Sequence, residues 1–323
     1  MKNYVTKKSI VIFSIFSTAA FLIFCCSMPG LAQAKAQGAG GNGGGKAVSP
    51  SLHSPTRLDF TPEGNLLVSD YRLRMILTVN SKTLEVKNWF EVDGRPVATA
   101  WAKGRILVGN EVTRCIETYT RSGKKQGIIG GGNHPIYLPQ DIAVDSEAEI
   151  LFAVDGGDKN VKVFSLKGDF IGYIPSEGTD PDHSLLANPT AAALDMVNRW
   201  VYVSDYGDTG RGIYPRVQVF DYEGNLTYTI SGKAGMFGQR FSRPQGLALN
   251  DSGQLFLLDC FAGEILILDP GTGELLKTMA GFGSEPGQLQ LPLDLVIDKK
   301  TNDIYVTNNR AARIERFGKG GVL

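Results

Sequence analysis

Short apolar segments recur along the chain at nearly constant spacing, and the same two kinds of residue frame each of them. A proline opens an apolar strand, and an Asp or Asn closes the next strand 14 to 16 residues later. The six opening and closing residues are Pro55 and Asp70, Pro96 and Asn110, Pro139 and Asp155, Pro189 and Asp205, Pro244 and Asp259, and Pro292 and Asn308. Proline suits the first residue of a strand, where no hydrogen-bond donor is lost.

Two further strands follow in most of these units. Third strands include RMILTV, NVKVFS and EILILD, and five units continue with a fourth strand such as EVKNWF or LTYTIS. Six units of about 40 to 55 residues with four strands each predict an all-β protein, a six-bladed β-propeller of four-stranded antiparallel blades. The sixth unit ends with RIERFG, so we expect residues 46–49 to supply its fourth strand and close the ring.

Several motifs resemble those of the NHL-repeat family. They are the GxxGxxGQxxxxP run at residues 232–244, its looser copy GFGSEPGQLQLP, strand ends such as VYVSD, and third strands such as RVQVF. The resemblance covers roughly residues 50–321 and implies the six-bladed propeller fold. It does not imply one function, because a single common fold carries many activities.

The N-terminus has the pattern of a secretory signal peptide. Three lysines precede an apolar run, and Ala32 and Ala34 form a small-x-small cleavage site. We therefore expect a signal peptide at residues 1–34, a Gly-rich segment at 35–49 and the propeller at 50–323, in a secreted or periplasmic protein. Whether the signal is cleaved, lipidated or retained as a membrane anchor stays open.

Charge and cysteine content narrow the possible functions. Without residues 1–34 the chain has 30 basic and 33 acidic side chains, which argues against a nucleic-acid-binding surface. Cys115 and Cys260 fall in the second and fifth units, on opposite sides of a six-bladed ring. We expect no disulfide between them, because the two Cα atoms of a disulfide lie within about 7 Å.

Two sets of polar residues stand out in the loops that flank the strands, and the second of them is the first candidate site. The Asp and Asn residues that close the second strands are interpreted as turn caps, because every unit has one. The histidines His53, His134 and His183 precede opening prolines on one face and are a candidate divalent-metal site. The alternative is that they are ordinary surface histidines, because they stand 2, 5 and 6 residues before their prolines and are not equivalent positions. No other cofactor is expected.

A second candidate site lies at the central channel. Arg57, Asp141 and Asp294, with Gln140 and Gln245, lie within two residues of opening prolines and are predicted to surround one mouth of the channel. Paired carboxylates there suit Ca²⁺, and a polar mouth in which Arg57 balances the acids is the alternative.

Long loops on one side of the propeller form the third candidate, which we call the loop face. It comprises the connections that join one unit to the next and the connections between second and third strands. Its predicted binding residues are Tyr71, Tyr137, Tyr206, Phe237 and Arg240. Because aromatic and Arg side chains anchor interfaces, we expect a non-catalytic scaffold for a protein or peptide partner. The alternative is a metal-assisted lyase or hydrolase that uses His134, His183, Asp141 and Asp294.

Overall fold

The chain folds into six four-stranded antiparallel sheets arranged as a β-propeller. The computed structural model describes residues 51–176, 185–234, 238–318 and 321–322. In this part of the chain the helical content is a single 3₁₀ turn, Thr209–Arg211. The described residues contain no helix long and apolar enough to cross a membrane.

The first three blades follow one another in sequence order, and the strands of each blade are called a, b, c and d from the first to the last. The first blade contains β1 (Pro55–Phe60), β2 (Leu66–Asp70), β3 (Met75–Val79) and β4 (Val86–Glu91). The second contains β5 (Pro96–Ala102), β6 (Arg105–Asn110), β7 (Cys115–Tyr119) and β8 (Lys125–Ile129). The third contains β9 (Pro139–Asp145), β10 (Ile150–Asp155), β11 (Asn160–Ser165) and β12 (Phe170–Ile174).

The last three blades repeat this order, with one small hairpin between the fourth and the fifth. The fourth blade contains β13 (Pro189–Asp195), β14 (Trp200–Asp205), β15 (Arg216–Asp221) and β16 (Leu226–Ser231), and the hairpin is β17 (Lys233–Ala234) with β18 (Gly238–Gln239). The fifth contains β19 (Pro244–Leu249), β20 (Leu255–Asp259), β21 (Glu264–Leu268) and β22 (Leu275–Ala280). The sixth contains β23 (Pro292–Ile297), β24 (Ile304–Asn308), β25 (Arg313–Gly318) and β26 (Gly321–Val322).

The a strands form the inner ring. Each contacts the a strand of the next blade, and β23 of the sixth blade contacts β1 of the first, which closes the circle. Buried apolar side chains form six clusters, one at each interface between neighbouring blades. The b strands contribute most to these clusters because both of their faces pack against a neighbouring blade. The six-bladed all-β prediction is therefore confirmed.

The fourth strand of the sixth blade corrects one sequence prediction. Gly321–Val322 pairs with Phe317 and Gly318 of β25, so the C-terminal end of the chain supplies a short d strand. The sequence pattern missed it because two residues are too few to show alternation. Residues 46–49, which were expected to close the ring, lie outside the described part of the chain.

The Asp or Asn that closes each b strand holds two loops together. The Asp70 carboxylate accepts main-chain N–H bonds from His53 and Ser54 in the preceding loop, and from Arg72 and Leu73 in the following turn. Asp155 and Asp259 do the same in their blades. The interpretation of this set as turn caps is confirmed. These residues therefore have a structural role where two loops meet.

In the second, third and sixth blades, the residue seven positions after the closing residue matches it in hydrogen-bonding character. In the third blade Asp155 accepts a bond of 2.5 Å from Nζ of Lys162, whose side chain is buried. In the second blade the closing residue is Asn110, and its amide donates to Glu117 at 3.1 Å. The sixth blade repeats the second with Asn308 and Glu315.

A buried glutamate at this position needs further donors. Burial opposes ionisation of Glu117, but the bonds from Lys125, Tyr119 and Asn110 outweigh it and hold the pKa of this carboxyl below its usual range. An Asp therefore pairs with a Lys, and an Asn with a Glu, at equivalent places in different blades.

The two cysteines of the described region are both buried, and neither forms a disulfide. Cys115 begins β7 of the second blade, and Cys260 directly follows β20 of the fifth. The expectation that they are not bonded to each other is confirmed.

Candidate functional site

A β-bulge at the start of every a strand shapes the central channel. The antiparallel register between strands a and b shifts just after the opening proline in all six blades. The residue next to the proline is therefore left out of the ladder, and its carbonyl group is available to another donor. Gln140, Thr190, Gln245 and Leu293 occupy this position in blades three to six.

Arg57 uses these free carbonyl groups. Its Nε donates to Gln140 at 2.6 Å, Nη1 donates to Leu293 at 2.8 Å and to Gln245 at 3.3 Å, and Nη2 donates to Thr190. One guanidinium from the first blade thus binds the main chain of four other blades. Arg57 is only 3% exposed, so it lies inside the channel rather than at an open mouth as expected from the sequence.

Two carboxylates lie beside this guanidinium. Asp294 lies 3.3 Å from Nη1 of Arg57, and Asp141 lies 3.7 Å from Nε. Each also accepts a main-chain N–H from the next blade, Asp294 from Leu58 at 2.8 Å and Asp141 from Ala192 at 3.0 Å. Arg57, Asp141 and Asp294 therefore lie together, as the sequence pattern predicted.

Asp59 is a further acid of the inner ring, and the sequence reasoning missed it. Its carboxylate accepts N–H bonds from Trp101 of the second blade at 2.6 Å and from Phe60 at 2.7 Å. The available signal was an acid two residues after Arg57 in an otherwise apolar a strand. The acids at the inner ring thus link the first to the second blade, the third to the fourth, and the sixth to the first.

Burial changes the acidity of two of these groups. Removal from water raises the pKa of Asp294 to about 7, with Arg57 opposing the shift and Asp141 adding to it. Burial also raises the pKa of Asp59 to about 6, against the two N–H bonds that it accepts. At neutral pH the channel therefore contains carboxyl groups close to their titration points.

We expect the stability of the protein to fall as pH rises from about 4 to 7 because of Asp294. Its ordinary pKa is near 3.8 and its folded pKa is about 7, so within this window the folded state keeps a proton that the unfolded state has released. Unfolding free energy decreases wherever the folded state binds more protons. Melting curves from pH 4.5 to 8 should give a shallower pH dependence for Asp294→Asn than for the wild type. Identical slopes would contradict this assignment.

The predicted residues of the loop face separate into two groups. Tyr71 is buried at 5% exposure; its hydroxyl donates to Glu111, and Arg95 lies over its ring. Arg240 donates to the carbonyl of Gly273 at 2.6 Å, in the turn between strands c and d of the fifth blade. Both residues therefore join neighbouring blades. Phe237 lies outside the described residues.

Tyr137 and Tyr206 remain near the surface of the loop face. Tyr137 is 43% exposed, and the cations of Arg114 and Lys162 lie near its ring. The Arg243 guanidinium stacks over Tyr206, 3.5 Å from the ring centre. Arg243 is only 7% exposed, whereas Arg114 is exposed. At Tyr137 an aromatic ring and a guanidinium group therefore face solvent together, which is the composition that interfaces favour.

Six of the twelve large exposed apolar side chains of the described residues lie on this face, and the sequence reasoning missed all of them but Tyr137. The connections of the loop face contribute six large exposed apolar residues of the described chain: Val112, Tyr137, Leu185, Tyr214, Phe261 and Phe282. Val112 and Phe261 stand two residues after a closing Asn or Asp, where a tight turn normally carries a polar residue. An apolar residue at that repeat position was the available signal.

The two described histidines, His53 and His134, occupy separate surroundings. His134 stacks on Phe170, with 3.7 Å between ring centres, and lies 3.3 Å from the hydroxyl of Tyr173; both partners belong to the outermost strand of the third blade. His53 is an exposed residue next to the first a strand, and His183 lies outside the described residues. In the described ranges no three His, Cys, Asp or Glu side chains are grouped so as to hold a metal ion.

Comparisons with known proteins establish the fold. No family model matches the chain, and no curated protein matches its sequence. A catalytically inactive variant of virginiamycin B lyase from Staphylococcus aureus, solved with quinupristin, has a TM-score of 0.59 and 11% identity over 85% of this chain and 84% of that chain.

Two other solved structures are similar in the same way. Hydrazine synthase from Kuenenia stuttgartiensis has a TM-score of 0.58 and 14% identity over 86% of this chain and 80% of that chain. A protein of unknown function from Bacteroides thetaiotaomicron has a TM-score of 0.62 and 17% identity over 86% and 72%. At such low identity these similarities show that the chain shares a β-propeller fold with these proteins.

Proposed function

We propose that this protein is a non-catalytic binding scaffold that docks a protein or peptide through its loop face. The observation that carries the proposal is the group of exposed apolar residues on that face, Val112, Tyr137, Leu185, Tyr214, Phe261 and Phe282. A partner that covers this face would bury these side chains together and remove the unfavourable hydration free energy that each one carries in water.

Arginine side chains accompany the aromatic residues of this face. The exposed Arg114 lies beside Tyr137, and the buried Arg243 lies near both Tyr206 and Phe261. Aromatic rings with stacked guanidinium groups form the centres of many interfaces, where few residues carry most of the binding energy. The signal-peptide pattern of residues 1–34 supports a place for this scaffold in the cell envelope or outside the cell.

Substituting Tyr137, Phe261 and Phe282 together by Ser is expected to weaken partner binding at least 100-fold. An anchor residue typically contributes about 2 kcal/mol or more, and three such losses exceed that factor. The wild-type chain would be used to isolate its partner from the secreted or envelope fraction of its own cells. The dissociation constant for the purified partner would then be measured for each variant.

The chain offers a matched control on its other surfaces. Met196, Val197 and Leu276 are exposed to a similar or larger extent, at 47%, 92% and 48%, but lie in a turn of the opposite face or on an outermost strand. Their joint replacement by Ser should leave the dissociation constant unchanged. If this control weakens binding and the triple substitution on the loop face does not, the proposed face is wrong.

A further inference from the structure

A cavity of about 500 Å³ lies in the channel, and it opens away from the loop face. Its walls come from the a strands of all six blades, and its opening lies among turns that join strands a and b, at Pro62, Met196 and Lys300. We call this opposite side of the propeller the turn face. The volume falls in the range of about 300–1,000 Å³ that is typical of small-molecule sites.

The lining of this cavity combines apolar walls with carboxyl groups. Leu58, Ile142, Leu194, Leu247 and Leu295 are among its aliphatic residues. Asp59, Asp141 and Asp294 line it as well, whereas Arg57 does not. Arg57, the cation that the a strands place inside the channel, therefore lies outside the lining, with its donors directed at main-chain carbonyls and Asp294. Two lysines of the lining, Lys299 and Lys300, stand in the turn at the opening.

The carboxyl groups keep acceptor capacity towards the cavity. Each oxygen of Asp59 accepts one main-chain N–H bond, and a carboxylate oxygen has two acceptor positions. Asp59 is also less buried than Asp141 and Asp294, and it stands on the turn-face side of Arg57 along β1. A donor that enters from the turn face would reach it.

We propose that this cavity binds a small organic cation, an amine whose ammonium group is held by Asp59 and whose apolar body fills the aliphatic channel. An anionic ligand is disfavoured because Asp59, Asp141 and Asp294 line the inner part of the space and the Arg57 guanidinium is engaged elsewhere, while Lys299 and Lys300 stand at the opening beside Asp298. A bare metal ion is disfavoured because the described acids are not grouped closely enough to share one. An ammonium group needs only one or two acceptors within hydrogen-bond distance.

The charges around the site set its pH dependence. Asp59 and Asp294 hold protons below about pH 6 and pH 7, while Asp141 and Arg57 also face this region. At the opening stand Asp298, Lys299 and Lys300. Because the cation favours ionised carboxylates, its binding should strengthen from pH 5.5 to 8 and should release protons.

Calorimetric titration of the purified full chain with hexylammonium, hexan-1-ol and hexanoate tests the proposal. At pH 8 hexylammonium should bind at least tenfold more tightly than the neutral and the anionic probe, which have the same carbon chain. Its affinity should fall at least threefold at pH 5.5. If hexylammonium binds no better than hexan-1-ol, or does not bind, the proposal is overturned.

Two variants locate the binding. Asp59→Asn removes the negative charge but keeps the shape of the side chain, and it should reduce hexylammonium affinity at least tenfold. Asp251→Asn, in a turn of the turn face, is the control and should leave the affinity unchanged. Met196→Trp narrows the opening from an exposed turn and should weaken binding of hexylammonium, while Val197→Trp beside it should not. The Met196 variant decides the question if Asp59→Asn fails to fold. Unchanged affinity in the folded variants would show that hexylammonium binds elsewhere and would overturn the proposal.

Discussion

Arg57→Met is expected to lower the melting temperature by about 10 °C or more, the largest effect of any single substitution on the channel. Removing one partner of a buried charge pair costs about 3–5 kcal/mol, and in a domain of this size each kcal/mol corresponds to roughly 2–4 °C. Methionine would leave the carbonyls of Gln140, Thr190, Gln245 and Leu293 without this donor, and Asp294 without its nearest cation.

Two further variants separate charge from geometry. Arg57→Lys keeps the positive charge but lacks the planar group of five N–H donors, so an intermediate loss of stability is expected. Arg121→Met is the matched control, because Arg121 forms an exposed ion pair with Glu63 and stacks on Trp101. Such a surface pair contributes at most about 1 kcal/mol. If thermal unfolding of Arg57→Met resembled that of Arg121→Met, the central role of Arg57 would be refuted.

Lys162→Glu should be the most damaging substitution among the blades, and Asp155→Asn should partly rescue it. The new glutamate would place a second buried negative charge against Asp155, which is fully buried, and beside Asp158. We expect a loss of about 3–5 kcal/mol, as for an uncompensated buried charge. With Asn at position 155, the third blade would acquire the Asn and Glu pair that the second and sixth blades already use.

The rescue should be incomplete for a reason that the structure supplies. Glu117 of the second blade also receives a bond from Lys125, and Glu315 of the sixth blade from Arg313. Chemical denaturation of the two single variants and the double variant gives the coupling free energy directly. We expect the double variant to recover at least half of the stability lost by Lys162→Glu. Strictly additive losses would show that the two positions do not interact.

The sequence predicted the strands well because each depends on local information. Apolar segments with an opening proline and a closing Asp or Asn specify one unit, and six copies reinforce one another. The d strand of the sixth blade was missed because Gly321–Val322 is too short for a pattern. The bulge after each proline was also invisible, since it is defined only by the register between two strands.

The candidate sites were predicted less completely because they depend on contacts between blades. Tyr71 and Tyr137 look alike in the sequence, yet Tyr71 is buried under Arg95 and bonded to Glu111 of the next blade, and Tyr137 is exposed. His134 meets Phe170, 36 positions further along the chain. No local pattern specifies which distant side chain lies across an interface.

The carbonyl contacts of Arg57 also bear on the order in which the chain folds. Repeat proteins often fold by successive addition, because each unit touches only its neighbours. Here a residue near the start of the propeller binds partners 83 to 236 positions later. Contacts of such long sequence separation form late and slow the reaction. We therefore expect these blades to fold as one cooperative unit, and fragments that lack the last blades to gain little structure during synthesis.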